Sequence, residues 1–236
     1  MAPALLDQKV LVFDVYGTLI DWETGIYTAA QPLLSQLSSP PSREEFLRTY
    51  VHQEHLQEGS TPGLRYSSLL AHVYNRLASL YQLPPSPESA TAFGNSVADW
   101  PAFPDSAAAL AELKKYYKLV VLSNVDRASF ATSLPKLGGE GTFDLILTAE
   151  DIGSYKPDLR NFECALKEIG EKFGVGKHQV CSTAQSLFHD HAPAKKLGLV
   201  SSWIDREGAY MGDASYEWRF ATLGDMAAAV KQEKEA

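Results

Sequence analysis

Cysteine is nearly absent from this sequence: only Cys164 and Cys181 occur among 236 residues, and neither lies in a CxxC motif or a Cys/His cluster. Two cysteines are too few for a disulfide scaffold, and their positions do not match a zinc site. We expect both to be buried thiols in a reducing compartment. The sequence also has no stretch of eighteen or more apolar residues and no basic N-terminal segment before an apolar run. A membrane span and a signal peptide are therefore not expected, and the prediction is a cytoplasmic protein.

Positive charge is scarce as well. The formal net charge is −8, the sequence pI is near 5.3, and no long run of lysine or arginine offsets the acidic residues. General attraction to nucleic acid or to an anionic membrane is therefore not expected, whereas a local cationic pocket stays open. With 45% hydrophobic residues the chain can bury a full core. The expected partner is a small molecule, and the oligomeric state, a homodimer included, is left open.

Several short, almost wholly apolar runs are typical of strands that are buried on both faces of a parallel sheet. Helical patterns lie between several of them, and this alternation predicts an α/β fold with a Rossmann-like parallel sheet and right-handed crossovers. The runs are Lys9–Phe13, Lys118–Leu122, Phe143–Thr148, Val180–Ser182 and Val200–Ile204.

The segment between Asp21 and Trp100 has a different pattern, with apolar residues at helical spacing and no convincing strand. Breaks that contain proline or glycine separate its helices. We therefore predict a helical domain, residues 21–100, inserted into an α/β domain formed by residues 1–20 and 101–236. The segment Trp100–Asp105 is the predicted hinge between the two.

Polar side chains follow the predicted strands at the points where the strands end. In an open parallel sheet, reacting groups collect just beyond the carboxyl ends of the strands, so these side chains are expected around one crevice. Each of them alone also has a structural explanation as a helix cap, a turn residue or a solvated charge. Their joint order favours a site. The residues are Asp14, Tyr16, Thr18, Ser123, Asn124, Lys156, Gln185, Ser186, His189 and Asp190.

This order of motifs resembles the haloacid dehalogenase superfamily: an apolar strand followed by DVYGTL, a second strand followed by SN, a KP dipeptide and a final acidic motif. The helical insertion stands where that family carries a cap domain. The resemblance implies that Asp14 is a nucleophile, Thr18 supports it, and Ser123 and Asn124 bind the anionic group of the substrate. It also implies that Lys156 neutralises the crowded carboxylates, and that Asp190 acts in the second chemical step.

Two positions indicate which branch of the superfamily is closest. Magnesium-dependent phosphatases carry a second aspartate where this chain has Tyr16, and a metal-binding aspartate where it has Gln185. A neutral amide is a poor replacement for a carboxylate in a magnesium site. The chain is therefore similar to the type II L-2-haloacid dehalogenases, which contain DxYGT and need no metal. This implies displacement of halide from a short (S)-2-haloacid through an aspartyl ester, with no cofactor required.

The remaining expected contacts of the substrate come from residues around these motifs. The backbone near Tyr16 and the Ser123 hydroxyl would hold the carboxylate, and Trp22 would line an apolar pocket. Gln185 and Ser186 belong to the final motif. His189 is interpreted as a water-activating base, an anion binder or only a residue at a helix N-terminus.

Some features depart from the dehalogenase pattern. That branch supplies a halide-binding arginine from its cap, but Arg43, Arg48 and Arg65 do not stand at the expected place. Leu187 and His189 occupy positions where the branch has an asparagine and an aromatic residue. Two alternatives therefore stay open. One is a magnesium-dependent phosphatase of a small phosphorylated metabolite, and the other is a non-catalytic relative that binds an anion or a protein.

Other chemistry-bearing residues are given structural interpretations. Trp100, Trp203 and Trp218 are expected in the core or at the interface with the helical insertion rather than on a platform that stacks bases. His52, Glu54 and His55 are expected on an exposed polar helix face, since no further ligand accompanies them in the sequence. The segment Trp203–Arg206 is expected to close the edge of the sheet.

Overall fold

The computed structural model describes residues 3–61, 63–206 and 212–235. Its centre is a parallel sheet of six strands in the order β3-β2-β1-β4-β5-β6, which confirms the predicted Rossmann-like α/β fold. The strands are β1 (Val10–Phe13), β2 (Lys118–Ser123), β3 (Leu145–Thr148), β4 (Val180–Ala184), β5 (Val200–Ile204) and β6 (Trp218–Phe220).

Helices cover both faces of the sheet and fill the inserted segment. Those of the insertion are α1 (Trp22–Ala29), α2 (Gln31–Leu34), α3 (Arg43–Ser60), α4 (Tyr66–Leu80) and α5 (Pro87–Asn95). Those associated with the sheet are α6 (Ser106–Leu113), α7 (Arg127–Ser133), α8 (Ala149–Ile152), α9 (Leu159–Phe173), α10 (Ala192–Lys196) and α11 (Leu223–Glu235). Short 3₁₀ segments and one π-helical turn, Leu187–His191, complete the described elements.

The register of the sheet explains why the polar motifs converge. Phe13 of β1 pairs with Val121 of β2 on one side and with Thr183 of β4 on the other. All four residues of β1 are buried, as are all five of β4, so these strands are covered on both faces. The chain therefore leaves β1, β2 and β4 at the same edge of the sheet, and the residues that follow them are neighbours.

The insertion contains helices and no strand among its described residues. The two chain segments that connect it to the sheet run side by side: the Asp21 N–H donates to the Pro101 carbonyl at 2.8 Å, and Ile20 forms an antiparallel bridge with Ala102. The helices and the sheet share one large hydrophobic cluster, to which both Phe13 and Tyr50 belong. The division into a core domain of residues 1–20 and 101–236 and a cap domain of residues 21–100 stays a prediction.

The edge of the sheet differs from the sequence expectation. Trp203 and Ile204 belong to β5, which is flanked by β4 and β6, so the segment Trp203–Arg206 does not close the sheet. The edge strand on that side is β6, a three-residue strand with an exposed arginine at its centre, and no apolar run predicts it. Trp218, expected in the core, is a half-buried residue of this strand, whereas Trp100 is buried.

Two further expectations concern the thiols and the membrane. Cys181 is buried in β4, but Cys164 is only partly buried on α9, and both thiols are free. Along the described ranges, no helix combines the length and apolarity that a membrane crossing requires.

Candidate active site

A buried lysine between two carboxylates stands at the carboxyl edge of the sheet. The Lys156 Nζ lies 2.9 Å from the Asp14 Oδ1 and 2.7 Å from the Asp190 Oδ1. The lysine side chain is 1% exposed, and the two aspartate side chains are 10% and 3% exposed. The structure therefore brings Lys156 together with one carboxylate that stands 142 positions before it in the sequence and another that stands 34 positions after it.

One cation shared by two buried carboxylates leaves an excess negative charge. Burial lowers the pKa of Lys156, but the adjacent Asp14 and Asp190 outweigh this effect and hold the pKa above its ordinary value. Burial, followed by repulsion from Asp14, raises the pKa of Asp190 to about 7 against the opposing effect of Lys156. The lysine is therefore charged at neutral pH, whereas Asp190 is near its point of half-protonation.

The loop after β1 orients Asp14 through hydrogen bonds. The Thr18 hydroxyl donates to the Asp14 Oδ2 at 2.9 Å and accepts from the Gln185 N–H at 2.9 Å. The loop turns at Gly17, whose φ of +97° favours glycine, and a Cβ there would lie 3.1 Å from the Trp22 Nε1. Both oxygens of Asp14 are thus held, one by a cation and one by a hydroxyl.

The amide of Asn124 positions Lys156. Its Oδ1 accepts from the Lys156 N–H at 2.6 Å, and its Nδ2 donates to the Lys156 carbonyl at 3.0 Å. The Asn124 amide thus fixes the backbone of the lysine, and Asn124 also lines the cavity described below, so its contact with a substrate stays a prediction. Ser123 differs, because its hydroxyl is buried with no hydrogen-bond partner among the described residues.

The three charged residues open onto a cavity of about 310 Å³, which is the size of a pocket for a small molecule. The Oδ2 of Asp190 is a second buried atom of the lining that lacks a hydrogen-bond partner in the described part of the chain. Buried polar atoms are almost always paired in folded proteins, so these two atoms indicate that a ligand or water binds here. The lining residues are Asp14, Tyr16, Trp22, Val51, Glu54, His55, Glu58, Tyr66, Ser123, Asn124, Val125, Lys156, Ser186, Phe188, His189, Asp190 and Gly212.

A family model described as haloacid dehalogenase-like hydrolase matches residues 8–181, most of the chain. The chain belongs to this family of hydrolases. The (S)-2-haloacid dehalogenase 4A of Burkholderia cepacia is 27% identical over 215 residues, covering 85% of this chain and 84% of that protein.

Solved structures of haloacid dehalogenase-like proteins share the fold. An L-2-haloacid dehalogenase from Xanthobacter autotrophicus superposes with a TM-score of 0.78 at 17% identity, covering 95% of this chain and 98% of that one. YfnB from Bacillus subtilis, with magnesium bound, superposes with a TM-score of 0.77 at 15% identity, covering 95% and 99% of the chains. Because both proteins have this fold, the fold alone does not select the chemistry.

Gln185, Ser186 and His189 of the final motif differ in their position relative to the cavity. Gln185, expected to contact the substrate, is not in the cavity lining, and its carbonyl accepts from the Trp203 Nε1. The Ser186 hydroxyl accepts from the His189 N–H at 3.0 Å and lies 3.1 Å from the His189 Nδ1. Burial and the nearby Lys156 lower the pKa of His189 to about 4, so a neutral imidazole lines the cavity.

Tyr16 and Trp22 contribute aromatic surface to the cavity. The Tyr16 hydroxyl lies 2.9 Å from the Ser133 Oγ, and burial raises its pKa well above the ordinary range, so it is a neutral group. The N–H groups of residues 17–20 donate to carbonyls within the loop that follows β1. Among the described residues, the N–H groups of residues 15 and 16 have no such carbonyl acceptor in this loop.

The inserted helix α3 supplies a wall of the cavity that the sequence analysis missed. Val51, Glu54, His55 and Glu58 line the cavity, and their spacing puts them on one face of the helix. Glu54 is partly buried and accepts hydrogen bonds from Tyr50 and Tyr66, contrary to the expected exposed polar face. The spacing of residues 51, 54, 55 and 58, which places them on one face of a helix, is the sequence pattern that could have revealed this wall.

No arginine lies in the described lining of this haloacid dehalogenase-like site. Arg43 donates to the Thr24 hydroxyl, Arg48 pairs with Glu44, and Arg65 pairs with Glu150. The three arginines nearest in sequence to the expected halide-binding position therefore contact other residues. Lys156 is the single lysine or arginine among the described lining residues.

Proposed function

We propose that this hydrolase displaces halide from C2 of a short (S)-2-haloacid without a metal, through an ester on Asp14. One observation carries the proposal: the Asp14 carboxylate lies at the cavity, with one oxygen on Lys156 and the other on Thr18. A carboxylate held in this way is oriented for attack, and covalent catalysis divides one difficult displacement into two easier steps.

In the first step an oxygen of Asp14 attacks C2 of the substrate, and the halide leaves with the bonding electron pair, so C2 is inverted. In the second step water attacks the carboxyl carbon of Asp14, which breaks the acyl C–O bond and releases the 2-hydroxy acid. The unpaired Oδ2 of Asp190 lies in the same cavity and accepts the proton of the attacking water. Protonated Asp190 returns this proton to the leaving oxygen of the ester, which becomes the hydroxyl group of the product. The Asp14 carboxyl group then loses its own proton, so the carboxylate is regenerated and the net products are hydroxy acid, halide and a proton.

The anionic group of the substrate has two suitable partners in the cavity. The Ser123 hydroxyl is buried and lacks a hydrogen-bond partner in the described ranges, and Lys156 provides the positive charge. A hydroxyl that is already desolvated gains a full hydrogen bond when the substrate binds. Ser123 and Lys156 therefore hold the carboxylate close to Asp14.

The donor set of this site does not fit a magnesium ion. Asp14 and Asp190 each give one oxygen to Lys156, and Gln185, a neutral amide, lies outside the lining. Among the described residues, no group of three or more histidines, cysteines or acidic residues is arranged to hold a metal. Magnesium prefers several carboxylate oxygens and water. In this site the Lys156 ammonium occupies one oxygen of each aspartate, where a metal ion would otherwise bind. The proposed steps accordingly use no metal ion. Nothing in the donor set favours the alternative of a magnesium-dependent phosphatase.

Chloride release tests the proposal directly. We expect the protein to release chloride from (S)-2-chloropropionate in the presence of EDTA, at a rate that added magnesium does not raise. The Asp14→Asn variant is the control. Equal chloride release by the wild type and the variant would contradict the proposal, as would phosphate release from phosphorylated metabolites that depends on magnesium. Absence of any Asp14-dependent turnover would favour the non-catalytic alternative.

The pH profile of kcat is a second prediction. Asp190 accepts a proton only when ionised, and its pKa of about 7 means that the ionised fraction increases as the pH rises through that value. We therefore expect kcat for chloride release to increase between pH 6 and 8 with a midpoint of about 7. Of the neighbours of Asp190, His189 is neutral throughout this range because its pKa is about 4, and Lys156 stays protonated.

A series of kcat measurements from pH 5 to 9 checks this expectation. The His189→Asn variant is the control, since a midpoint that stays near 7 in it excludes the imidazole as the titrating group. A flat profile in the wild type would contradict the assignment to Asp190.

A further inference from the structure

The wall of the cavity formed by α3 is acidic. Glu54 and Glu58 stand one helical turn apart on the face of α3 that lines the cavity. The Glu54 Oε1 accepts hydrogen bonds from the hydroxyls of Tyr50 at 2.6 Å and Tyr66 at 2.7 Å, which fixes this carboxylate in place. Glu58 makes no hydrogen bond or ion pair with another described residue. The second carboxylate is therefore available to a ligand.

The charges around the cavity are unbalanced. Four carboxylates line it, those of Asp14, Asp190, Glu54 and Glu58, and the described lining contains no lysine or arginine apart from Lys156. That lysine is already bound to both aspartates. Burial and the proximity of Glu54 raise the pKa of Glu58 to about 8, and burial also raises the pKa of Glu54. These carboxylates are held at a cost that a bound cation would offset.

Aromatic rings share the cavity with this pair. Tyr16, Trp22 and Tyr66 line it, and the ring centroids of Tyr16 and Tyr66 are 6.4 Å apart. Cations bind favourably over the faces of such rings, particularly where carboxylates are close. A cavity that combines tyrosine and tryptophan rings with a carboxylate that has no partner among the described residues, that of Glu58, is suited to a positively charged organic group rather than to a second anion.

We propose that Glu54 and Glu58 form a subsite for an ammonium group carried by the substrate, on the wall of the cavity that α3 supplies. This inference rests on the proposed function in that the reacting carbon stays at Asp14. It narrows the substrate class to 2-haloacids that also carry a cationic amine. Glu58 is the specificity-determining residue, because its carboxylate has no hydrogen-bond partner among the described residues. Glu54 is held beside it by two tyrosine hydroxyls.

The charge preference of the cavity can be measured without turnover by binding small probes of similar size that carry no halogen. We would titrate the wild-type protein at pH 8 with n-butylammonium, 1-butanol and butyrate, and follow the heat of binding by calorimetry. We expect n-butylammonium to bind about tenfold more tightly than 1-butanol, because the ammonium adds ion pairing and contacts with the rings. A smaller or reversed preference for the ammonium would overturn the proposal, whatever the affinity for butyrate.

Variants of one helix locate the subsite. We expect Glu58→Gln to weaken n-butylammonium binding about tenfold and Glu58→Asp, which keeps the charge, to weaken it about threefold or less. The matched control is Glu44→Gln, which makes the same change on an exposed turn of α3. Unchanged affinity in Glu58→Gln, or an equal loss in the Glu44→Gln control, would overturn the assignment.

The two proposals fail differently. If chloride release from (S)-2-chloropropionate is absent but n-butylammonium binding depends on Glu58, the dehalogenase proposal is wrong and the ammonium subsite stands. If chloride is released and n-butylammonium binds without regard to Glu58, the subsite is wrong and the dehalogenase proposal stands.

Discussion

The Asp14→Asn variant is expected to lose about 10⁴-fold or more of the activity for chloride release. The substitution keeps the shape of the side chain but removes the charge that attacks C2 and that pairs with Lys156. The uncatalysed displacement is slow, and no other carboxylate of the cavity has both oxygens held as Asp14 does. Steady-state chloride assays on the purified variant measure this loss.

A quenched reaction distinguishes a nucleophile from a merely structural carboxylate. We expect the peptide that contains Asp14 to gain the mass of the substrate less hydrogen halide when the wild type is quenched during turnover. In water labelled with heavy oxygen, a single turnover should place the label in the Asp14 carboxylate, because water attacks its carboxyl carbon.

Asp21→Asn is the matched control for this pair of experiments. Asp21 caps α1 by accepting from the Thr24 N–H at 3.0 Å, and asparagine is an equally good cap, so its activity should be unchanged. Label found in the product alone, with none in Asp14, would show direct attack of water on C2 and exclude the ester.

Replacement of Lys156 by methionine is expected to cost about 3 kcal/mol or more of the free energy of unfolding at pH 8. Two buried carboxylates would then lie close together with no cation between them. The lost pairing removes the effect that opposes burial at Asp190, so the pKa of this carboxyl in the folded state lies further above its value in the unfolded chain. The folded variant therefore binds more protons than the unfolded one, so its stability falls as the pH rises.

Urea unfolding at pH 5, 6.5 and 8 measures this dependence. We expect the difference from the wild type to grow with pH, and the double variant Lys156→Met/Asp190→Asn to recover much of the loss, because one buried charge is gone. Lys195→Met, at an exposed position of α10, should change stability by about 0.5 kcal/mol or less. A pH-independent loss, or no recovery in the double variant, would contradict the charge-balance explanation.

The convergence of Asp14, Lys156 and Asp190 followed from the sequence for a definite reason. Strands covered on both faces require continuous apolar runs, which are visible without any structure. Parallel strands end at one edge, so polar residues placed directly after such runs become neighbours. The strand order and the exact hydrogen bonds were not needed for that conclusion.

Other features depend on contacts between residues far apart in the chain. β6 exists because β5 presents an open edge to it, and its three residues carry no periodic signal of their own. The Asn124 amide binds the backbone of a residue 32 positions later, and nothing local to the SN motif predicts this partner. Gln185 follows a strand as the other site residues do, yet its side chain lies outside the cavity lining.

The chain order of apolar runs and polar ends thus determined the fold class, the family resemblance and the charged centre of the site. The tertiary structure decided which residues form the wall of the cavity that α3 supplies. Glu54 and Glu58 share a helix face in the sequence, but which face of α3 turns toward the cavity depends on packing against α1 and α4. Such packing is set by long-range burial rather than by local propensity, so the acidic wall became visible only in three dimensions.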